Sequence, residues 1–352
     1  MYNKSQAAIT EWYKLNKRML PWRQTKSAYH IWLSEVILQQ TRVQQGLPYY
    51  NKFIKAFPKV EDLAQATESD VLLLWQGLGY YSRARNMHFT AKIIVEKYKG
   101  IFPNTYEEIK NLKGVGEYTA AAIASFAFDL PYPAIDGNVM RVISRIFGVE
   151  EDIMLSHTKK VITDIASEMM HAKDAALFNQ SMMEFGALQC KAKNPNCNIC
   201  PLLDICFAYH NNKVKELPLK INKTKVKNRY FNYLIIKGAH DKLFIQKREQ
   251  KDIWQNLYQF PLIESSIPLS ETALLDEIKN QMQCKTSINL RFRSLEIKHK
   301  LSHQLLHIHF NIIQCKGFLI KNNWELIRIT DWDAFPFPEI INKNKSFILE
   351  NL

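Results

Sequence analysis

Four cysteines within one short segment constrain this chain more than any other feature of its sequence. They are separated by six, two and five residues, as Cys190, Cys197, Cys200 and Cys206. Structural zinc sites usually combine two closely spaced pairs of cysteine or histidine. This segment has one Cys-x2-Cys pair, two wider gaps and no histidine between the cysteines. Four thiolates in one loop suit a [4Fe-4S] cluster, which takes one cysteine per iron. The spacing therefore favours an iron–sulfur cluster over a zinc site or a disulfide pair.

The length and charge of the chain indicate two domains and a polyanionic partner. A chain of 352 residues can bury two sizeable cores. Its 47 Lys and Arg residues exceed its 34 Asp and Glu residues, and the formal net charge is +13. Because basic residues displace counterions from phosphates, this surplus favours nucleic acid, although a basic enzyme without such a partner is the plain alternative.

Cysteine usage and hydropathy bear on the compartment. The two remaining cysteines, Cys284 and Cys315, are isolated, which argues against a disulfide framework and fits a reducing cytoplasm. The N-terminal segment lacks the apolar core of a signal peptide, and no apolar run approaches the roughly eighteen residues of a membrane span. We therefore expect a cytoplasmic, nucleoid-associated protein that does not contact a membrane.

The hydrophobic pattern is helical from residue 5 to about 210. Ala120–Ala127 reads as a buried helix, and the stripe from Val139 to Ile146 at i, i+3, i+4 and i+7 predicts a helix with one buried face. Asp136 stands just before this second helix, where an N-cap residue is expected.

The pattern changes after Cys206. Residues 211–229 are rich in lysine and have no helical stripe, which indicates a basic linker. Beyond it, Phe231–Ile235 alternates and Lys242–Arg248 follows a turn, which predicts a hairpin, while Glu271–Met282 predicts a helix. The expected fold class is multidomain α and α+β, with a helical domain over 1–210 and an α+β domain over 230–352.

A turn with two glycines lies between two helical segments at Leu112–Gly116. Glycines one residue apart allow a tight turn whose backbone N–H groups point outward at the next helix N-terminus, and this suits a phosphate oxygen. Taken alone, the turn is a weak signal, and a plain helix connection is the default interpretation.

This turn, Asp136 and the cysteine quartet together resemble the helix-hairpin-helix DNA glycosylase superfamily, typified by endonuclease III. Within it the chain is most similar to the adenine DNA glycosylase (MutY) family, whose members remove adenine mispaired with 8-oxoguanine. The resemblance covers nearly the whole chain, and its most specific segments are Leu20–Arg23, Ser34–Val43, Trp75–Arg83, Gly114–Ala120 and Ala134–Val142. It implies a helix-hairpin-helix at about 107–128, a [4Fe-4S] loop at 190–206, and a Nudix-like domain for 8-oxoguanine recognition over 230–352.

Two carboxylates carry the expected chemistry. Cleaving the bond between adenine and deoxyribose requires protonation of the base and stabilisation of an oxocarbenium-like sugar, and a carboxylate pair provides both. Glu35 lies in the apolar run Ile31–Leu38, where burial would raise its pKa, although a solvated helix glutamate is the plain alternative. The resemblance implies that Glu35 protonates the adenine and Asp136 stabilises the sugar cation, with Tyr118 and Asn138 as hydrogen-bond partners.

Tyr118 distinguishes two reaction types. In bifunctional relatives of the endonuclease III type the corresponding residue is a lysine, whose amine forms a Schiff base with the sugar and leads to strand cleavage. Tyrosine has no such amine, so the resemblance implies a monofunctional enzyme that leaves an abasic site. Lys113 stands where many hairpins of the family carry proline; we expect it to contact the DNA backbone, and it leaves weak lyase activity open.

Base excision from a duplex requires the nucleotide to be flipped out, and the resemblance implies two sets of recognition residues. The expected DNA-binding residues are Arg23, Gln40, Thr41, Leu78, Tyr80, Lys113, Gly114 and Gly116. The expected lesion-recognition turn is Leu301, Ser302 and His303, where leucine replaces a phenylalanine of the family. Ordinary core packing is the plain alternative for Leu78 and Tyr80. The helix Glu271–Met282 lacks the glutamate pattern of a magnesium-binding Nudix box, so we expect no nucleotide hydrolysis.

These inferences predict a monomeric adenine DNA glycosylase with a [4Fe-4S] cluster, acting on duplex DNA that carries an adenine·8-oxoguanine mismatch. One rival is a bifunctional endonuclease III-type enzyme, against which Tyr118 and Glu35 argue. The other is a non-catalytic iron–sulfur DNA-binding protein, against which the two carboxylates argue.

Overall fold

The computed structural model describes residues 1–221, 226–238, 240–283, 288–315 and 323–352, and it divides into two units. The first unit comprises Met1–Gln65 and Asn86–Asn222, and the second comprises Ala66–Arg85 and Lys223–Leu352. The segment 66–85 thus joins the second unit, although it lies within the range predicted as the first domain. Residues 222–225 of the predicted linker and Cys284 lie outside the described residues, as does the side chain of Cys315.

The helical pattern predicted for the N-terminal part of the chain is confirmed. Between residues 2 and 210 the described α-helices are α1 (Tyr2–Asn16), α2 (Ala28–Leu38), α3 (Val43–Ala56), α4 (Val60–Gln65), α5 (Glu68–Trp75), α6 (Ser82–Tyr98), α7 (Tyr106–Lys110), α8 (Glu117–Phe128), α9 (Gly137–Phe147), α10 (Ser156–Met169), α11 (Ala175–Leu188) and α12 (Phe207–His210). No helix among the described ranges is long and apolar enough to cross a membrane. The predicted buried helix is α8, and the predicted one-sided helix is α9.

The core of the first unit fixes the position of α9. Its apolar stripe, including Val142 and Ile146, is almost fully buried against Phe178 and Phe185 of α11 and against α10. Each such side chain contributes about 1.5–3 kcal/mol when it is fully buried. The core therefore determines where α9 begins, and with it the position of Asp136.

The first half of the predicted linker packs on the first unit. The backbone carbonyl of Leu217, which is buried, accepts a hydrogen bond from Arg145 Nε at 2.9 Å. The carbonyl of Leu219 accepts another from the backbone N–H of Ile153 at 3.0 Å. Lysine-rich composition indicated a linker, but leucines between the lysines anchor this part of it.

The second unit is an α+β structure, as predicted. Its strands are β1 (Lys227–Ile236), β2 (Lys242–Lys247), β3 (Tyr258–Gln259), β4 (Leu262–Ser265), β5 (Ile288–Arg293), β6 (Ile297–Lys300), β7 (Gln304–Cys315) and β8 (Trp324–Arg328). Its helices after β4 are α13 (Glu271–Met282), α14 (Glu339–Lys343) and α15 (Lys345–Glu350). One sheet has the order β4-β1-β7-β5 with β6 also paired to β7, and the other has the order β3-β2-β8. Helix α13 confirms the prediction and packs its leucine and isoleucine face on the larger sheet.

The hairpin predicted from β1 and β2 is wrong. The two strands belong to different sheets, and an isolated bridge between Lys237 and Leu243 joins their ends. β1 instead lies between β4 and the parallel strand β7, with Phe231 opposite Ile308. Both faces of β1 are buried from Phe231 to Ile236, so the apparent period of two did not mark a half-exposed hairpin strand.

Candidate active site

A single carboxylate lies inside the apolar helix α2. This helix begins after Ser27, whose hydroxyl accepts a hydrogen bond from the backbone N–H of His30, and every residue from Ile31 to Ile37 is buried. Glu35 is 6% exposed. Burial raises the pKa of Glu35 to about 7, although a hydrogen bond from Tyr118 opposes the rise. The carboxyl group can therefore hold a proton near neutral pH.

The glycine turn delivers the hydrogen-bond partner of Glu35. Because α8 begins directly after Gly116, Tyr118 lies in the first turn of that helix. The hydroxyl of Tyr118 donates to Oε2 of Glu35 at 2.7 Å. Burial raises the pKa of Tyr118 well above its usual value, so this side chain stays a neutral phenol that donates a proton in a hydrogen bond.

Asp136 is the N-cap of α9, as predicted. Its Oδ1 accepts hydrogen bonds from the backbone N–H groups of Asn138 at 2.9 Å and Val139 at 2.8 Å, and its Oδ2 accepts one from Asn138 Nδ2 at 2.7 Å. Burial raises the pKa of Asp136 above its usual value, and these three hydrogen bonds and Arg141 limit the rise. The helix N-terminus thus supplies donors that favour the ionised carboxylate.

One cavity of about 170 Å³ in the first unit joins these groups. Its lining includes the four residues predicted to be catalytic, Glu35, Tyr118, Asp136 and Asn138, together with Arg23 and Thr41 from the predicted DNA-binding set. The negative charge of Asp136 also raises the pKa of Glu35. The two carboxyl groups in this cavity therefore differ. Glu35 can hold a proton, whereas the hydrogen bonds to Asp136 favour its ionised form.

Sequence reasoning missed a third carboxylate in this cavity. Glu184 of α11 is fully buried, and its carboxylate accepts hydrogen bonds from Arg18 Nε at 2.9 Å and from Arg23 Nη2 at 2.7 Å. Burial would raise the pKa of Glu184, but the hydrogen bonds from the two arginines hold it at about 2. A lone acid in an apolar helical run was the available signal, the same one that pointed to Glu35.

The salt bridge with Glu184 bears on the predicted DNA contact of Arg23. Its side chain is 15% exposed and its guanidinium forms a salt bridge with Glu184 in the cavity wall. A DNA contact through Arg23 stays a prediction, but the structure does not place this side chain on an open surface.

The backbone of the glycine turn is tight, as its two glycines predicted. Gly114 has φ of +82°, and a Cβ there would lie 2.8 Å from Cβ of Asn86. Gly116, at the N-terminus of α8, has open space around its Cα. The Lys113 ammonium group lies 4.4 Å from the centre of the Phe89 ring, and its backbone carbonyl accepts a hydrogen bond from Thr90. The turn therefore leaves open space at the N-terminus of α8, and a phosphate contact there stays a prediction.

The end of α2 carries two further predicted DNA-binding residues. Gln40 is exposed and has φ of +54°, a conformation that residues other than glycine adopt rarely. Thr41 follows, and its hydroxyl donates to the backbone carbonyl of Gln39 at 3.3 Å.

A second cavity, of about 380 Å³, lies within the second unit. It brings together the predicted DNA-binding residues Leu78 and Tyr80 and the predicted lesion-recognition turn Leu301, Ser302 and His303. The hydroxyl groups of Tyr80 and Ser302 are hydrogen-bonded to each other. Leu78 is buried, whereas Tyr80, Ser302 and His303 are exposed.

The cysteine loop is connected to the carboxylate cavity through α9. Arg141 Nε donates to the carbonyl of Cys190 at 2.8 Å, and Arg141 Nη2 donates to Oδ1 of Asn138 at 2.9 Å. One side chain thus joins the loop to the residue that hydrogen-bonds Asp136.

The loop fits an anionic iron–sulfur cluster. Burial and the neighbouring thiols raise the pKa of Cys200 to about 11, so its thiolate needs a metal to stabilise it. The nearby Arg145 is 3% exposed, and its described partners are backbone carbonyls and the sulfur of Cys190. An anionic cluster would compensate this buried charge. Among the described residues no group of three or more His, Cys, Asp or Glu could hold one metal ion, and the cysteines of a cubane each bind a different iron.

Comparison with known proteins agrees with this geometry. A family model for the HhH-GPD superfamily of base excision DNA repair proteins matches residues 33–169, one for the iron–sulfur binding domain of endonuclease III matches 190–206, and one for the NUDIX domain matches 232–344. The loop therefore holds a [4Fe-4S] cluster.

Relatives with an assigned activity match over most of the chain. An adenine DNA glycosylase of Buchnera aphidicola subsp. Baizongia pistaciae is 38% identical over 96% of this chain and 96% of its own. The human adenine DNA glycosylase is 37% identical over 60% of this chain and 40% of its own. Among solved structures, a thermostable thymine-DNA glycosylase covers 60% of this chain and 97% of its own, with 27% identity and a TM-score of 0.56.

Loss of the cluster is expected to weaken DNA binding. Cys197→Ser removes one ligand of the loop that carries Lys191 and Lys193, both of which are exposed. If the loop presents these lysines to two phosphates, the slope of log K against log salt concentration falls by about 2. We expect this change in titrations of an uncleaved duplex at several salt concentrations.

The double variant Lys191→Ala/Lys193→Ala is the matched control, because it removes the charges and keeps the ligands. It is expected to show the same reduced slope. An unchanged slope in the Cys197→Ser protein, with iron lost, would contradict an electrostatic role of the loop.

Proposed function

This chain belongs to the adenine DNA glycosylase family, and from that membership we propose that it excises adenine mispaired with 8-oxoguanine in duplex DNA without cleaving the strand. The observation that carries the proposal is the buried Glu35 carboxyl group, hydrogen-bonded by Tyr118 at 2.7 Å in a cavity that also contains Asp136. We further propose that it acts as a monomer in the cytoplasm, at the nucleoid.

Glu35 acts as the general acid. With a pKa of about 7, about half of the molecules carry the proton at neutral pH. Transfer of this proton to a ring nitrogen of the flipped adenine makes the base a better leaving group. The resulting carboxylate can then accept a proton from the water that attacks the sugar, and Tyr118 stabilises that anion by its hydrogen bond.

Asp136 stabilises the sugar as the bond to adenine breaks. Positive charge develops on the deoxyribose, and a fixed carboxylate in a buried cavity interacts with it more strongly than one in water. The hydrogen bonds from Val139 and Asn138 hold the carboxylate in place before the reaction, so no reorganisation is needed. Arg141 in turn orients Asn138.

The cavity supports base removal without strand cleavage. Strand cleavage by this superfamily's bifunctional members needs an amine at the position of Tyr118, and here that position carries a phenol. The described lining of the cavity does not include Lys113, whose ammonium group lies over Phe89. Borohydride is therefore expected to trap little covalent adduct.

The second cavity is the proposed site for the base opposite adenine. 8-Oxoguanine differs from guanine in an N7–H donor and an O8 acceptor. The hydrogen-bonded hydroxyl groups of Tyr80 and Ser302 can pair with such a donor and acceptor. The proposal for the lesion therefore rests on these two hydroxyl groups within the second unit.

Ser302→Ala is expected to reduce the preference for 8-oxoguanine over guanine by about fivefold, because one hydrogen bond is worth about 1 kcal/mol. The measurement is the single-turnover rate of adenine release from duplexes with either opposite base. Ser266→Ala, an exposed serine of the same unit, is the matched control and should keep the wild-type preference.

The wild-type measurements test the function itself. Adenine release that is faster opposite 8-oxoguanine, with little borohydride-trapped adduct, is the expected result. Equal rates of adenine release opposite both bases would contradict the proposed lesion specificity. A high yield of borohydride-trapped adduct would favour the bifunctional enzyme.

A further inference from the structure

Trp254 has an unusual backbone conformation beside the second cavity. It lies in the loop between β2 and β3 and has φ of +59°. A bulky residue with positive φ is a genuine outlier, and such strain persists where the surrounding structure imposes it and is concentrated at functional sites.

An ion-pair cluster that includes two buried arginines holds this loop. Asp252, two residues before Trp254, binds Arg229 at 2.6 Å and Arg248 at 3.0 Å. The backbone N–H of Asn256, two residues after Trp254, donates to the carbonyl of Arg248 at 2.7 Å. The strained residue is thus fixed from both sides.

Arg229 also holds a second part of the cavity lining. Arg229 Nη1 donates to Gln304 Oε1 at 2.9 Å, and Gln304 directly follows the turn Leu301–His303. One guanidinium group therefore sets the position of Trp254, through Asp252, and of the lesion-recognition turn. Arg229 thus contacts a residue next to each of these two parts of the lining.

The loop between β2 and β3 contributes the aromatic residue Trp254 to the lining of this cavity. It is 9% exposed, its ring packs near Phe231 and His299, and it is one of the residues that line the cavity, as are Leu301 and Ser302. The turn itself contributes an aliphatic side chain, Leu301, which offers no π face to a base. Tyr80, whose hydroxyl is engaged with Ser302, lines the cavity as well.

We propose that Trp254 is a specificity-determining residue that stacks on the purine opposite the excised adenine and supplies the aromatic surface that Leu301 lacks. This inference rests on the proposed function of the second cavity. Stacking depends on the π face of the base and not on its hydrogen-bonding edge, so Trp254 provides affinity for the opposite purine while Ser302 distinguishes 8-oxoguanine from guanine.

The test compares binding with and without an opposite base. Trp254→Leu, Trp254→Phe and Trp254→Leu/Leu301→Phe are prepared in the Glu35→Gln background, in which excision is slow enough for the adenine to stay in the duplex during a titration. Each protein is titrated with duplexes carrying adenine opposite 8-oxoguanine, opposite guanine or opposite a tetrahydrofuran abasic site. Circular dichroism and thermal melting report whether each variant is folded.

Trp254→Leu is expected to weaken binding by roughly tenfold opposite either purine, since base–aromatic stacking is worth about 1–3 kcal/mol. It should leave binding opposite the abasic site unchanged. Trp254→Phe is expected to retain most of the affinity, and Leu301→Phe to restore a substantial part of it in the Trp254→Leu protein.

Two results would overturn the inference. Equal losses on the purine and abasic duplexes would show that Trp254 only maintains the fold, and an unchanged affinity on all three would show that it does not contact the base. Failure of the proposed function is separate, because it appears as a wild-type protein without preference between 8-oxoguanine and guanine, whatever Trp254→Leu does.

Discussion

Glu35→Gln is expected to slow adenine release by a factor of about 10³, within the range that general acid–base catalysis supplies. Glutamine has nearly the same shape, and its carbonyl oxygen can still accept the hydrogen bond from Tyr118. It cannot donate an acidic proton to the leaving base. The measurement is the single-turnover rate of adenine release from an adenine·8-oxoguanine duplex, and equal rates for wild type and variant would contradict the assignment.

The pH dependence identifies the group responsible. Because the pKa of Glu35 is raised to about 7, the protonated acid is lost above that pH, and the wild-type rate should fall about tenfold per pH unit. The Glu35→Gln protein should show no such fall. Tyr118→Phe removes a hydrogen bond that lowers this pKa, so its rate should begin to fall at a higher pH than that of the wild type.

The same shift has a consequence for stability. A carboxyl group whose pKa is about 7 when folded, against 4.5 as its ordinary value, stabilises the fold below pH 4.5, and this contribution is lost as pH rises through 7. The loss amounts to about 3 kcal/mol. The side chain in the Glu35→Gln protein cannot ionise, so the variant does not undergo this loss. Above pH 7 the variant should therefore melt at a higher temperature than the wild type, which separates loss of catalysis from loss of fold.

Asp136→Asn is expected to reduce adenine release by about 10³ while leaving the protein folded. Asparagine is as good an N-cap as aspartate, so the hydrogen bonds from Asn138 and Val139 can persist. The negative charge that we propose to stabilise the developing sugar cation is lost, and a single electrostatic contact of this kind is worth about 10²–10³ in rate. Single-turnover rates and thermal unfolding of the same preparation check both parts.

Two further variants separate charge from capping. Asp136→Ala removes both and should lose about 1 kcal/mol of stability in addition to activity. Ser270→Ala removes the hydroxyl that caps α13, and it should lose stability with little change in the rate of excision. An active Asp136→Asn protein would show that the aspartate acts only as a helix cap.

The elements that could be predicted from sequence are those with a strong local signal. The period of α9 and the apolar composition of α8 indicated both helices, and the capping position of Asp136 followed from its place before the stripe. Glu35 was a candidate because one acid stood in an apolar run. The spacing of the cysteines indicated the cluster before any fold was known.

The failures arose where partners distant in sequence decide the structure. β1 was assigned to a hairpin because it is followed by a turn and β2, but pairing with β7, more than seventy residues later, makes it a central strand. Glu184 was missed because Arg18 and Arg23 lie about 160 residues before it. A local sequence pattern does not reveal partners that lie this far apart in the chain.

By itself, the sequence determined the family, the cluster ligands and the two carboxylates expected to act on the base and the sugar, because residue type and spacing carry that chemistry. Only the tertiary structure decided the proton state of those groups and the composition of the second cavity. The pKa of Glu35 depends on burial by the whole first unit and on Tyr118 from another helix. The aromatic wall at Trp254 depends on Arg229, which joins two segments far apart in the chain. Burial, desolvation and long-range ion pairs are properties of the folded chain, and a local sequence pattern does not specify them.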